Sequence, residues 1–204
     1  ATYRENSTIS RHTRFLMEGL KVSSLTEKFN LSKDQQFSIR LHDHGLLRLI
    51  PLSVDKELFD VTEKIFFHTL INSVCYQEMF FDHFSQKSDG KHGPFLLESI
   101  TEESFLSINN NHFREEVIQT VISPKWSCPP ISKTKLSEVK RLINHFLTED
   151  SKSYFLEKCL TFNSSSQEAF VYEHEWSHSL TSYYEYVIKD KINKKVFLLI
   201  ITYE

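Results

Sequence analysis

The stretch Tyr183-Tyr-Glu-Tyr-Val-Ile-Lys-Asp-Lys-Ile-Asn-Lys-Lys-Val-Phe-Leu-Leu-Ile-Ile-Thr-Tyr203 decides how this chain folds. Two apolar runs, residues 183–188 and 196–203, flank a polar segment at 189–195, so the spacing predicts an antiparallel hairpin with a charged tip. The second run carries Val-Phe-Leu-Leu-Ile-Ile without a polar interruption. A strand exposed on one face alternates apolar and polar side chains, so an unbroken apolar strand has to be covered on both faces and lie inside a sheet.

Working outward, Phe170, Tyr172, His174, Trp176, His178 and Leu180 alternate with Val171, Glu173, Glu175, Ser177 and Ser179. This period of two reads as a further strand and gives a C-terminal three-strand meander over about 169–203. Near the other end Phe37, Ile39 and Leu41 alternate with Ser38 and Arg40, and His42-Asp-His-Gly45 turns into the apolar run 46–52. That is an N-terminal hairpin over about 36–52.

Between the two ends the period is helical. Leu58, Val61, Ile65, Leu70, Val74, Phe81 and Phe84 predict one long helix or two collinear ones over 55–84, with Ser53 or Asp55 as cap. Asn111 is the expected cap of a helix running to Ile122, with Glu115 and Glu116 in its first turns, where the helix dipole favours carboxylates. Leu136, Val139, Leu142, Ile143, Phe146 and Leu147 mark another helix, residues 154–162 a shorter one, and Ile9, His12, Leu16 and Leu20 a short one near the start. Residues 88–94, Ser-Asp-Gly-Lys-His-Gly-Pro, read as a loop. The expected architecture is a single α+β domain over 1–204, with a helical middle packed on an antiparallel sheet made by the two ends.

Composition narrows the function classes. The chain has 204 residues, 40% of them hydrophobic and 25% charged, with a formal charge of -3. A chain of this size buries about 70% of its unfolded surface and needs no staple. Four glycines and five prolines leave no room for collagen-like or linker-rich structure, and neither a G-x-G-x-x-G nor a P-loop occurs. A charge of -3 gives no strongly basic surface for nucleic acid. The longest apolar run, residues 196–201, is far short of the roughly 20 residues of a membrane-spanning helix. Three cysteines, Cys75, Cys128 and Cys159, are far apart with no C-x-x-C, and no signal-peptide pattern is visible. Cytoplasmic residence with free thiols is the expectation.

One motif is formal. His174-Glu-Trp-Ser-His178 is an H-E-x-x-H and resembles the zincin metalloprotease signature. The resemblance covers five residues and implies His174 and His178 as zinc ligands with Glu175 as general base. The surrounding alternation counts against it: on a strand the two histidines stand about 13 Å apart and Glu175 faces the other way. No H-x-x-G-x-x-H continuation supplies a third ligand. His42-Asp-His44 has the H-x-H spacing of a metal pair but sits in the hairpin turn. Cys75 and Cys159 fall in apolar runs and read as core thiols, while Cys128 lies in a proline-rich loop. Zinc hydrolysis through Glu175, His174 and His178 is therefore the alternative reading.

The leading reading comes from charge. Lys and Arg against Asp and Glu give +3 over residues 1–50, -7 over 51–120 and +1 over the rest. The acidity of the helical middle, through Glu57, Asp60, Glu63, Glu78, Asp82, Glu115 and Glu116, suits a contact surface for a basic protein partner. A non-enzymatic binding protein without cofactor is the expected class. Without any motif match, it is similar in kind to the small immunity proteins that neutralise bacterial toxins.

Overall fold

The computed structural model of the chain describes residues 28–32, 36–42, 44–77, 90–122, 130–156 and 182–203. It is an α+β structure built on one seven-stranded antiparallel sheet. The strands are β1 (Phe29–Leu31), β2 (Phe37–His42), β3 (Gly45–Val54), β6 (Phe105–Ile108), β7 (Ser151–Leu156), β8 (Ser182–Asp190) and β9 (Lys195–Tyr203), in the order β1-β3-β9-β8-β7-β6, with β2 also paired to β3. β4 (Lys91–His92) and β5 (Phe95–Leu96) form a separate two-stranded hairpin. The helices are α1 (Glu63–Ile71), α2 (Val74–Gln77), α3 (Asn110–Ile122) and α4 (Lys133–Phe146), with a 3-10 turn at Lys56–Phe59 ahead of α1.

β9 is central, between β3 and β8, and its side chains feed two cores alternately. Val196, Leu198 and Ile200 join a cluster with Phe66, Phe67, Leu70, Tyr76 and Phe105 on one face. Leu199 and Ile201 join Phe113, Val117, Val139, Ile143 and Phe146 on the other. The sheet is thus sandwiched between α1, α2 and the β4–β5 hairpin on the first face and α3 with α4 on the second. The unbroken apolar run has the cause inferred for it: both faces are dry. The hairpins β2–β3 and β8–β9 also form as expected, the first with a register shift between Arg40 and His42.

Three expectations need correction. Residues 151–156 are strand β7, where a helix was expected from 154. Tyr154 and Leu156 serve the first core and Phe155 the second, so three consecutive apolar residues satisfy both faces of a strand. Of the two alternatives over 55–84, one long helix or two collinear ones, the single helix is excluded: the described part holds two, α1 and α2, after a 3-10 turn. Asp55 accepts from the Glu57 amide at 3.3 Å and caps only the 3-10 turn, Thr62 caps α1, and Ser73 donates its hydroxyl to the Leu70 carbonyl at 2.6 Å where α1 ends. Third, the cap of α3 is Asn109, which accepts from the His112 amide at 2.9 Å, so Asn110 and Asn111 are already helical. α4 is the best-patterned helix, capped by Ser132 on the Lys135 amide at 3.2 Å. The expected strand at 170–180 and the short helix near the start lie outside the described residues, and the neighbour of β8 opposite β9 is β7.

Candidate functional site

The acidic residues singled out by charge divide into separate places. Glu57, Asp60 and Glu63 share one corner, where the 3-10 turn meets α1, and all three are exposed. The corner is anchored by Leu58, Phe59, Phe66 and Phe67, which are buried in the first core. Lysines from the sheet side reach it: Asp60 pairs with Lys191 at 2.9 Å and Lys194 at 3.7 Å, and Glu63 with Lys152 at 3.1 Å. The hydrogen bond from Lys191 holds the Asp60 carboxyl below its ordinary value, and the Tyr154 hydroxyl, 2.7 Å away, does the same for Glu63. Glu115 and Glu116 lie on α3, against the opposite face of the sheet, with Glu116 3.0 Å from His112. Glu78 and Asp82 lie outside the described residues, as do His174, Glu175, His178, Cys128 and Cys159. Cys75 is buried in the first core, as expected, with the Ser73 hydroxyl 3.4 Å from its Sγ. In the first hairpin turn the His44 amide donates to His42 Nδ1 at 3.2 Å, and the His42 ring stacks on Tyr203.

Lys189 lies between that corner and the core. It is 6% exposed, donates from Nζ to the Leu58 carbonyl at 3.0 Å and sits over the Phe66 ring, 4.3 Å from its centre. Burial pushes the ammonium down to about 8, and the positive Lys152 and Lys191 push the same way.

A buried polar cluster on the same face escaped the charge argument. Glu185, in the middle of β8, and His92, in β4, are both fully buried. His92 Nε2 is 2.6 Å from Glu185 Oε2, and its Nδ1 is 3.0 Å from the Tyr76 carbonyl. The Tyr76 hydroxyl donates to Glu185 Oε1 at 2.8 Å and the Tyr183 hydroxyl to Oε2 at 2.5 Å. The Tyr76 ring stacks on His92 with centroids 3.9 Å apart. Burial pushes the Glu185 carboxyl up, but His92 and the two hydroxyls outweigh it and hold the group below the usual carboxylate range. Burial, and then the adjacent Glu185 charge, push both tyrosines well above theirs.

The sequence did carry a signal for this cluster. A carboxylate flanked on both sides by the aromatic and apolar residues of Tyr183-Tyr-Glu-Tyr-Val-Ile188, in a strand covered on both faces, must find donors, because an unpaired buried charge is untenable. His92 was hidden among the turn-forming residues of 88–94, which on composition read only as a loop. The hairpin there turns on Gly93, at φ +54°, and Gly93 is packed against the Tyr183 ring.

Depressions open on the surface of the described residues. One of about 610 Å³ lies beside α1 and is lined by His68, Ile71, Gln77, Leu96, Glu98 and Glu102 among others, with His68 Nδ1 2.6 Å from Glu102. A second of about 390 Å³ lies where α4 ends, over Pro51 and Phe197. Among the described residues no three His, Cys, Asp or Glu side chains gather as a metal site requires, and no helix is long and apolar enough to cross a membrane. Set beside known proteins, the chain finds no match: no family model, no curated protein and no solved structure aligns with it.

Proposed function

We propose that the protein is a non-enzymatic binding protein that recognises a basic protein domain, in the manner of a toxin-neutralising immunity protein. Its contact surface is the acidic corner Glu57, Asp60 and Glu63. The observation that supports this reading is the mounting of those carboxylates: three exposed charges within seven residues, on a segment anchored by the buried Leu58, Phe59, Phe66 and Phe67. Preset charges of this kind steer a complementary partner and raise its association rate more than its final affinity. The lysines now paired with Asp60 and Glu63 are no obstacle. Exposed ion pairs are worth about 0–1 kcal/mol, so a partner's cations can replace them at little cost.

Glu78 and Asp82, which the charge pattern of the sequence grouped with these carboxylates, lie outside the described residues. Glu115 and Glu116, on the far face of the sheet, form a second acidic place that a single small partner would not reach together with the first. The test is affinity capture from an extract of the source cells at about 50 and about 300 mM salt, a range over which screening of exposed charges tightens markedly. Wild-type protein should retain one dominant basic protein at low salt and release it at high salt. The Glu57→Lys, Asp60→Lys double variant should retain none, and Glu115→Lys should behave as wild type. Equal capture by the double variant, loss confined to Glu115→Lys, or no partner at either salt would overturn the proposal.

A further inference from the structure

The smaller depression opens on the second face of the sheet, where α4 ends. Strand register fixes which side chains are left there. Alternation puts Phe37 of β2, Leu49 and Pro51 of β3 and Phe197 of β9 on that face, with Phe37 opposite Leu49 and Pro51 opposite Phe197. α4 closes one side with Phe146, whose ring is 5.6 Å from that of Phe197 at 45°. Leu49 is 1% exposed, whereas Phe37 is 39% exposed and Phe197 half-buried. The wall open to a ligand is therefore made of rings and not of aliphatic chains.

The rim carries the polar chemistry. Asp190 is buried and fully engaged: Oδ1 accepts from the Ile192 and Asn193 amides at 3.1 and 3.0 Å, and Oδ2 from the Asn193 side-chain amide at 2.7 Å and the Thr148 hydroxyl at 3.3 Å. These bonds hold the β8–β9 turn and leave that carboxylate no role toward a ligand. Lys195 stands opposite Asp190 across the ladder, and His145 lies in the last turn of α4. Both side chains are exposed, and among the described residues neither has an ion pair or a side-chain hydrogen bond. An ammonium donates three hydrogen bonds, and an imidazole donates at least one in either protonation state.

A concave wall of rings, edged by two uncommitted donors of which one is a cation, complements a flat apolar body that ends in an anion. We propose that this depression is a binding site for a small aromatic carboxylate, its ring against Phe37, Phe146 and Phe197 and its carboxylate toward Lys195 and His145. The volume, about 390 Å³, falls in the range of about 300–1,000 Å³ usual for small-molecule sites. A bound ring can meet its neighbours edge-on or offset, as Phe146 and Phe197 already meet each other. Lys195 is in water, so its pairing with the carboxylate contributes about threefold to fivefold in affinity, and burial of the ring supplies most of the rest. The acidic corner is mounted on the first core, on the other face of the sheet, so the two sites are independent.

Titration of the whole chain with cinnamate, a planar aromatic acid, followed by amide NMR shifts, tests the assignment. Amides of residues 145–148 and 190–197 should shift saturably, with a Kd below about 1 mM. Cinnamyl alcohol, the same body without the charge, should bind about threefold to fivefold more weakly. Octanoate, which keeps the charge but has no ring, should bind more weakly by about threefold. Lys195→Met should weaken cinnamate by about threefold to fivefold and leave the alcohol unchanged. Lys140→Met removes an exposed cation elsewhere on α4 and should change neither. Phe37→Ala should weaken the acid and the alcohol alike. No saturable shift up to about 5 mM, shifts confined to other segments, equal affinity for acid and alcohol, or cinnamate binding that Lys195→Met leaves intact would overturn the proposal. Shifts of these amides by acetyl-Asp-Phe-Asp-amide and not by cinnamate would place a protein segment in the site and overturn it equally.

Discussion

Gly90 and Gly93 both occupy the left-handed region, at φ +76° and +54°, but their surroundings differ. A β-carbon at Gly90 would have nothing within 4 Å, whereas at Gly93 it would lie 2.6 Å from the Tyr183 ring. Alanine at 90 therefore meets only the backbone preference, about 1 kcal/mol. At 93 it also has to displace a ring whose hydroxyl is fixed on Glu185. Urea denaturation should find Gly93→Ala destabilised by about 2–4 kcal/mol and Gly90→Ala by about 1 kcal/mol. Equal losses would show that Tyr183 yields freely. The same neighbourhood marks the limit of reading a sequence by composition. Glu185 is conspicuous in Tyr-Tyr-Glu-Tyr-Val-Ile, but its partner is one of ten histidines, and nothing local distinguishes His92 from the rest.

β8 presents Tyr183, Glu185, Val187 and Lys189 to the first core, so three of four inward side chains are ionisable. Lys189 links this strand to the 3-10 turn through the Leu58 carbonyl. An ammonium depressed to about 8 in the fold, against about 10.4 unfolded, means that the unfolded chain binds more protons between these values. Stability should therefore rise as pH increases from about 8 to about 10.4, because the penalty for burying the charge is relieved. Urea midpoints of wild type and Lys189→Met, compared at pH 7.5 and 9.5, isolate this residue from other titrations. The difference between the two proteins should move in favour of wild type at the higher pH, and a constant difference would refute the account. Strands β8 and β9 were legible, although neither shows a period of two, because two apolar runs flank a short polar segment and so read as a hairpin. β7 was misread since Tyr154-Phe155-Leu156 fills both faces at once and so shows no period. The break after α1 depends on the Ser73 hydroxyl bonding to Leu70, an interaction that hydrophobic spacing does not register.

At the scale of the whole molecule, β9 holds the two cores together. Leu198 and Leu199 are neighbours in sequence, both fully buried, and belong to opposite faces. Each Leu→Ala change should cost about 2–5 kcal/mol. Both should shift one common unfolding transition, seen alike by circular dichroism and tyrosine fluorescence. A biphasic curve in only one variant would show that the faces unfold separately. Charge, by contrast, is divided by the sheet: the -7 of residues 51–120 read as one acidic surface, but the fold assigns Glu57, Asp60 and Glu63 to one side and Glu115 and Glu116 to the other. Sequence reveals how much charge a segment has; which side of a sheet receives it depends on connections that periodicity does not encode.

The position of β9 also has a consequence for synthesis. It follows every other described element in chain order, yet it pairs with β3 over Gly45–Leu52 and separates that strand from β8. While the ribosome is still making residues 55–190, the inner edge of β3 has no partner, and its Leu47, Leu49, Ile50 and Leu52 have no lid. Sheet closure is therefore a late event dominated by distant pairings, which makes it slow and leaves a sticky edge exposed in the interval. The nascent chain, more than the finished protein, is the form that needs protection from its neighbours.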